Sequence, residues 1–411
     1  MSRSVLFHAQ YLLGIGHLQR SLRIANALAR DGIQVTLVNG GPPNAGLAVG
    51  PAVQIVQLEP VRARDARFEL IDESGRSIDD ALRARRREAL LATLANARPD
   101  AVVIEGFPFA RRAFAFELDP LIAAARAATP RPKVICSVRD IIAWRDDPAR
   151  HRATVERVRR DFDAVLVHGD PELISFDASF PAASDIAGRL SYTGYVYAPQ
   201  LAPPPAGSAG CPPPQAGEDP EKSGEVVVSA GGGAAGAALL NAAMAARRQG
   251  CLAAAPWRLL TGANLPQTEY DTLYRKAPAG VTVERFRSDL PALLRHCRVS
   301  VSQAGYNTVL DVLAARARAV LVPFAAERET EQSMRAERLA ALGATELVRE
   351  SELSAASLAA AIERAAAREP AGIEIDMNGA ANSARIIAAL IDGCSVPKLP
   401  WGSLPPRQAR I

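Results

Sequence analysis

Between Val299 and Gln332 the sequence passes from an apolar segment into Ser302-Gln303-Ala304-Gly305-Tyr306-Asn307-Thr308. It then runs through a helical stretch carrying Asp311 and a second apolar segment closed by Pro323-Phe324, to Glu327-Arg328-Glu329-Thr330-Glu331-Gln332. A buried strand that ends in small polar residues and a glycine, and turns straight into a helix, aims backbone N–H groups at one point, which suits a phosphate. Asp311, one turn inside the helix, could take two ribose hydroxyls. Glu331 and Gln332, beyond the next parallel strand, would face the same crevice. The chemistry available to this set is the holding of a nucleotide diphosphate that carries a sugar.

Two further glycine turns have the same form. Gly14-Ile15-Gly16-His17 follows the first apolar segment, and glycines there permit positive φ and close approach of an anion. His17, at the first helical turn, could deprotonate a hydroxyl or a water, or it could line the turn for structure. Ser229-Ala230-Gly231-Gly232-Gly233 opens the second half of the chain. It lacks the lysine of a P-loop and the spacing of a dinucleotide fingerprint, which disfavours ATP hydrolysis and NAD binding but leaves backbone contact with a diphosphate. Glu105 closes an apolar segment and leads into Gly106-Phe107-Pro108-Phe109-Ala110-Arg111-Arg112. Aromatic rings stack on sugar faces and arginines take acidic groups, so Glu105, Phe109 and Arg111 are candidates for binding an acceptor, against the alternative of a packed loop. Arg139, in Ser137-Val138-Arg139-Asp140, is a further candidate, with an internal Arg–Asp pair as its alternative. His168-Gly169-Asp170 reads as structural.

Positioning these residues requires alternating strands and helices, the pattern of parallel sheets covered on both faces. Strands are predicted at Ser4 to Ala9, Gln34 to Val38, Val53 to Leu58, Ala101 to Glu105, Lys133 to Val138 and Ala164 to Val167. Helical patterns fall at Leu18 to Arg30 and at about 78 to 98, 116 to 128 and 150 to 161. Residues 62 to 77 are charged and aperiodic and read as a long loop. The run from Ala198 to Gly224 contains two triple-proline segments and reads as a linker. The alternation restarts at Glu225 to Ala230 and continues with strands at 257–260, 281–283, 298–302 and 319–322. The expected organisation is a first domain over 1–198, a linker over 199–224, a second domain over 225–395 that includes a last helix from Ala380 to Ile391, and a tail over 396–411.

A chain of 411 residues suits two domains. With 48% hydrophobic and 22% charged residues, it has the balance of a globular enzyme rather than a disordered or fibrous protein. The formal charge of +4 is mild, and no aromatic-interleaved basic patch points to nucleic acid. Five cysteines without a CxxC pair support neither a disulfide framework nor a zinc site, and fit a reducing cytoplasm. Met1 to Arg20 lacks a secretory pattern, and no run approaches the roughly 18 apolar residues of a membrane span. Peripheral attachment needs only a surface patch and stays open.

The residues from Val226 to about Ile362 resemble the C-terminal domain of family 28 glycosyltransferases, which include the N-acetylglucosaminyltransferases that complete the lipid-linked peptidoglycan precursor. The likeness rests on Gly231-Gly232-Gly233, Ser302 to Gly305, Thr308, Asp311, Pro323-Phe324 and Glu331-Gln332. Gly14 to Arg20 is similar to the first turn of those transferases and of related nucleotide-sugar hydrolases. The whole pattern looks most like a set of bacterial glycosyltransferases of unassigned acceptor. The resemblance implies two Rossmann-like domains facing across a cleft (GT-B), no catalytic metal, and no cofactor beyond a nucleotide-sugar co-substrate, UDP-linked. It places Phe286 beside the base, Asp311 on the ribose, Gly305 to Thr308 on the diphosphate, and Glu331 and Gln332 on sugar hydroxyls. Glu331 stands where the peptidoglycan enzymes have glutamine, and a carboxylate only accepts hydrogen bonds. The expected reaction is metal-independent, inverting transfer to a saccharide or lipid-linked hydroxyl, with His17 as base, at the inner face of the membrane or free in the cytoplasm. A hydrolase or 2-epimerase on the same scaffold, and a noncatalytic nucleotide-sugar-binding regulator, are the alternatives.

Overall fold

The apolar runs form two separate parallel sheets in a computed structural model of the chain, which describes residues 3–12, 15–44, 46–64, 69–142, 147–197, 224–231, 236–287, 289–325 and 330–397. Gly14, Gly232 and nearly all of the Pro-rich linker lie outside these residues. The chain divides into two units, residues 1–198 with 375–411, and residues 199–374.

In the first unit the order is β1 (Ser4–Ala9), α1 (Gly16–Arg30), β2 (Gln34–Asn39), β3 (Val53–Gln57), β4 (Arg62–Ala63), β5 (Leu70–Ile71), α2 (Asp80–Ala97), β6 (Ala101–Glu105), α3 (Ala115–Ala127), β7 (Lys133–Arg139), α4 (Pro148–Asp161), β8 (Ala164–His168) and β9 (Leu190–Tyr192). Seven strands lie in the order β3-β2-β1-β6-β7-β8-β9, all parallel. β6 and β8 are buried at every residue, because helices cover both faces of the sheet, and this is why they read as unbroken apolar runs. The stretch expected as a loop over 62–77 instead contains the small antiparallel pair β4–β5, too short to leave a period-2 pattern.

The second unit runs β10 (Val226–Ser229), α5 (Ala237–Arg247), β11 (Trp257–Leu260), α6 (Gln267–Lys276), β12 (Val281–Glu284), α7 (Leu290–His296), β13 (Val299–Ser302), α8 (Tyr306–Ala314), β14 (Ala319–Leu321), α9 (Glu331–Ala341), β15 (Glu346–Leu347) and α10 (Ala355–Ala366). Its six parallel strands are ordered β12-β11-β10-β13-β14-β15. Both sheets therefore reverse their winding beside their first strand, between β1 and β6 and between β10 and β13. Ligands of such sheets bind at the carboxyl ends of the strands at that reversal.

The last helix, α11 (Gly379–Ile391), departs from the expected domain boundary of 225–395: it belongs to the first unit. Ala384, Ile386 and Ile387 join the apolar cluster that contains Leu18, Leu22 and Leu28 of α1. Asn382 donates to the Thr193 carbonyl at 2.7 Å, and Tyr195 N–H donates to Asp376 O at 2.6 Å. Gly379 is required there, since a Cβ would sit 2.4 Å from the Gly194 carbonyl oxygen. Among the described residues, no helix is long and apolar enough to cross a membrane.

Candidate active site

At the reversal point of the first sheet, β1 delivers the chain to α1 and β6 ends on Glu105. Sheet order thus places His17 beside a residue 88 positions away, with Nδ1 2.7 Å from Glu105 Oε1. Arg20, three residues on and so on the same helix face, donates from Nη2 to that oxygen at 2.6 Å. Arg111 Nε lies 3.7 Å from Oε2 and donates to the Gln10 carbonyl at 2.9 Å. Arg139, at the end of β7, acts electrostatically on both His17 and Arg111. Glu105 is 2% exposed, and the His17 side chain 23%.

A carboxylate can only accept, so the Nδ1 that faces Glu105 carries the proton and Nε2 is left as an acceptor. Arg20 Nη2 is also 3.3 Å from Nδ1, two donors converging on one oxygen. Burial is the main cause that depresses His17, to about 3; the cations Arg111 and Arg139 push the same way and Glu105 opposes them. Burial works to raise Glu105, but His17, Arg111 and Arg20 outweigh it and hold the carboxyl below its ordinary range. The result is a neutral imidazole backed by a fixed anion, a general base held in one tautomer.

Two expectations change here. Glu105, expected to face an acceptor, instead orients His17. Phe109, expected to stack on a sugar, is 7% exposed and packs edge-on against Phe176 and Phe180, with ring centroids 5.3 and 5.1 Å away. His168 is structural as expected, fully buried between the Ser137 and Thr193 hydroxyls at 2.7 and 2.9 Å. Arg20 was missed, although its i+3 spacing from His17 was a usable signal.

At the reversal point of the second sheet, Ser229 and Ser302 are register partners at the ends of β10 and β13. The Ser302 hydroxyl is buried and makes no hydrogen bond among the described residues. Gly231 follows at φ +69°, a conformation that favours glycine. Gly305 caps α8 with neither a side-chain cap nor an acidic residue in the first turn, so Tyr306, Asn307 and Thr308 begin a helix whose positive end is not neutralised from within. Asp311 is half-buried in the second turn, on the face of Asn307. Phe286, just beyond β12, is 68% exposed, the most exposed large apolar side chain described.

Gln332 Oε1 accepts from the backbone N–H groups of Ala304 and Phe324, at 3.1 and 3.2 Å. Glu331, expected on sugar hydroxyls, is 7% exposed and receives Arg335 Nη2 at 3.1 Å, one helical turn on. Arg335 Nη1 donates to the Ala304 carbonyl at 3.1 Å, with its guanidinium 5.5 Å from the Tyr306 ring centroid. The sequence reading passed over Arg335.

Two parallel sheets wound in this order are the Rossmann-like halves of the GT-B class. Residues 227–390 match the glycosyltransferase family 28 C-terminal domain. The chain is 32% identical over 130 residues to the UDP-N-acetylglucosamine--N-acetylmuramyl-(pentapeptide) pyrophosphoryl-undecaprenol N-acetylglucosamine transferase of Brucella anthropi, covering 30% of this chain and 34% of that protein. With the protein of the same name from Phenylobacterium zucineum it shares 32% over 91 residues, 22% of this chain and 25% of the relative. The chain thus spans between a quarter and a little over a third of the curated relatives it matches, 25% to 37% of their length. Over nearly its whole length it has the fold of CalG4, the calicheamicin glycosyltransferase, with a TM-score of 0.58, 19% identity and coverage of 95% and 94%. The same holds for MurG of Acinetobacter baumannii, with a TM-score of 0.57, 18% identity and coverage of 95% and 99%. The resemblance to family 28 therefore stands, with its sequence support in the C-terminal half.

Proposed function

We propose that the chain transfers a sugar from a nucleoside diphosphate to an acceptor hydroxyl, with inversion at the anomeric carbon. The observation that carries this reading is the neutral His17, whose Nδ1 is fixed by Glu105 and whose Nε2 is left to accept a proton. As the acceptor oxygen bonds to the anomeric carbon, its proton passes to Nε2 and the bond to the diphosphate breaks on the opposite face. Glu105 then stabilises the imidazolium.

The leaving diphosphate is met by the start of α8 and the turns at Ser229 to Gly231 and Ser302 to Gly305. Main-chain dipoles there supply the charge stabilisation that a divalent ion provides elsewhere. UDP is the favoured nucleotide, since the relatives' names specify a UDP-linked donor; Phe286 would cover the base and Asp311 would hold the ribose. The acceptor is a saccharide or lipid-linked hydroxyl, and the protein works in the cytoplasm or against the inner membrane face, without a nucleic-acid partner.

A thermal-shift screen of nucleotide sugars tests the reading, because a ligand bound to the folded state raises the melting temperature by mass action. UDP-sugars should shift it with or without EDTA. A shift with no nucleotide or nucleotide sugar would overturn the assignment. Release of free sugar without an acceptor would assign His17 to water, as in a hydrolase.

A further inference from the structure

Beyond β1 the chain heads for α1 and His17 through Gln10, Tyr11 and Leu12, and the carbonyl of each is held. The Gln10 carbonyl accepts from Arg111 Nε at 2.9 Å, the Tyr11 carbonyl from the Gln10 side-chain amide at 2.9 Å, and the Leu12 carbonyl from the Ala63 N–H at 3.2 Å. Gln10 Nε2 donates a second time, to the Val61 carbonyl at 2.9 Å, and Gln10 Oε1 accepts from Arg86 Nη2 at 3.0 Å. Arg86, on α2, is buried and makes as many hydrogen bonds as a guanidinium has N–H groups. Two go to Glu117 of α3, both at 2.8 Å, and one each to Gln10 Oε1, the Gly40 carbonyl at 2.9 Å and the Glu59 carbonyl. A guanidinium cannot accept, so only the oxygen of the Gln10 amide can face it, and the NH2 is committed to the two carbonyls. The fit is tight, since a Cβ on Gly40 would lie 2.1 Å from Gln10 Oε1.

We propose that Gln10, oriented by Arg86, is a positioning residue for His17: it fixes the segment whose Gln10 carbonyl holds Arg111 back from Glu105, and so leaves that carboxylate to the imidazole and Arg20. The inference rests on the reading of His17 as the base. Glu105 Oε2 is buried and makes no hydrogen bond among the described residues, with Arg111 Nε 3.7 Å away. A carboxylate is the stronger acceptor for a guanidinium, so Arg111 stays back only while the Gln10 carbonyl keeps its place. Replacing the Gln10 amide takes a donor from the carbonyls of the buried Tyr11 and Val61, and an acceptor from Arg86. Buried polar groups left unmatched favour rearrangement. With the segment released, Arg111 closes on Glu105 and the hold on His17 Nδ1 slackens.

Histidine NMR of the full chain reads this without a substrate, because the protein has five histidines and His17→Gln identifies the signals of one. At neutral pH, long-range proton–nitrogen spectra of the wild type should show His17 as the Nδ1–H tautomer alone, with its two ring-nitrogen shifts far apart. In Gln10→Met the two shifts should move toward each other as the second tautomer becomes populated, while the calorimetric affinity for UDP stays that of the wild type. Gln10→Glu keeps an oxygen against Arg86 but loses both donations; it should behave in the same way, and it replaces Gln10→Met if that chain does not fold. Leu90→Ala, a buried change on the same helix as Arg86, should lower the melting temperature and leave the His17 shifts alone. Unchanged His17 shifts in the Gln10 variants would overturn the inference. Equal movement in Leu90→Ala would overturn it too, by making the effect a general loosening of the first unit. If the wild type binds neither UDP nor any UDP-sugar, the functional reading falls, and the spectra, which need no ligand, still decide whether Gln10 sets the ring.

Discussion

The two sheets reverse at equivalent places and build opposite kinds of surface there. At the edge of the first, the chemistry is in side chains: one histidine, one carboxylate and the guanidiniums of Arg20, Arg111 and Arg139, drawn from α1, β6, the segment after β6, and β7. At the edge of the second, it is in the backbone, with Ser229, Gly231, Ser302 and Gly305 offering little beyond their peptides, while the buried Arg335, paired with Glu331, donates to a main-chain carbonyl. A group that must change protonation needs tunable side chains. A phosphate, whose charge is fixed, is served by dipoles that need no tuning. Among the helix starts, α2, α4 and α10 are capped by Asp79, Asp147 and Ser354, whereas α1, α5, α7, α8 and α11 have neither a side-chain cap nor an acid in the first turn.

Substitutions can break this contrast. His17→Ala should lower kcat by about 10²–10⁴-fold in a transfer assay while the calorimetric affinity for UDP stays as in the wild type; a parallel loss of affinity would erase the division between the edges. Glu105→Gln should reduce the rate and also destabilise the fold by about 3–5 kcal/mol in urea denaturation, because Arg20 and Arg111 lose their buried counter-charge. Gly305→Ala probes the opposite edge. A Cβ there meets nothing within 4 Å, so the melting temperature should hold while UDP binding weakens by about tenfold, or ~1.4 kcal/mol, from crowding of the ligand. Unchanged binding would mean that no diphosphate approaches that backbone.

pH sharpens the comparison more gently. His17 titrates near 3 in the folded protein and near 6.5 when unfolded, so between those values the unfolded chain binds the extra proton. Its contribution to stability is therefore full above pH 6.5 and declines as pH falls toward 3, by at most about 1.4 kcal/mol per pH unit. Denaturation midpoints at pH 7 and pH 5 should converge in His17→Gln relative to the wild type. The smallest effect belongs to Phe286→Ala, which should leave stability within about 0.5 kcal/mol and weaken UDP only a few-fold, since the ring is exposed.

The strands were legible because a strand covered on both faces is an uninterrupted apolar run, and Gly231 because few residues other than glycine tolerate its φ of +69°. The pairing of His17 with Glu105 was not. Each was singled out, with separate roles, and only the order β1-β6 brings them together. Phe109 failed for a related reason: an aromatic after a strand looks alike whether it faces solvent or Phe176 and Phe180. For α11, periodicity revealed a helix with an apolar face but carried no information about which unit that face covers. Glu331 was read from its neighbours in sequence, whereas the contact made by its carboxylate is with Arg335, one turn further on, whose Nη2 lies 3.1 Å from Oε1.

The return of α11 makes the first unit discontinuous, with residues 199–374 inserted as a guest between its two pieces. A fragment that stops before residue 375 would strip the cover from α1 and leave Leu18, Leu22 and Leu28 facing water. The guest, by contrast, is one uninterrupted stretch. Exchanging it for the equivalent stretch of a relative is a two-junction graft, and only a graft that keeps Ile375–Ile391 with the host leaves the His17 edge intact.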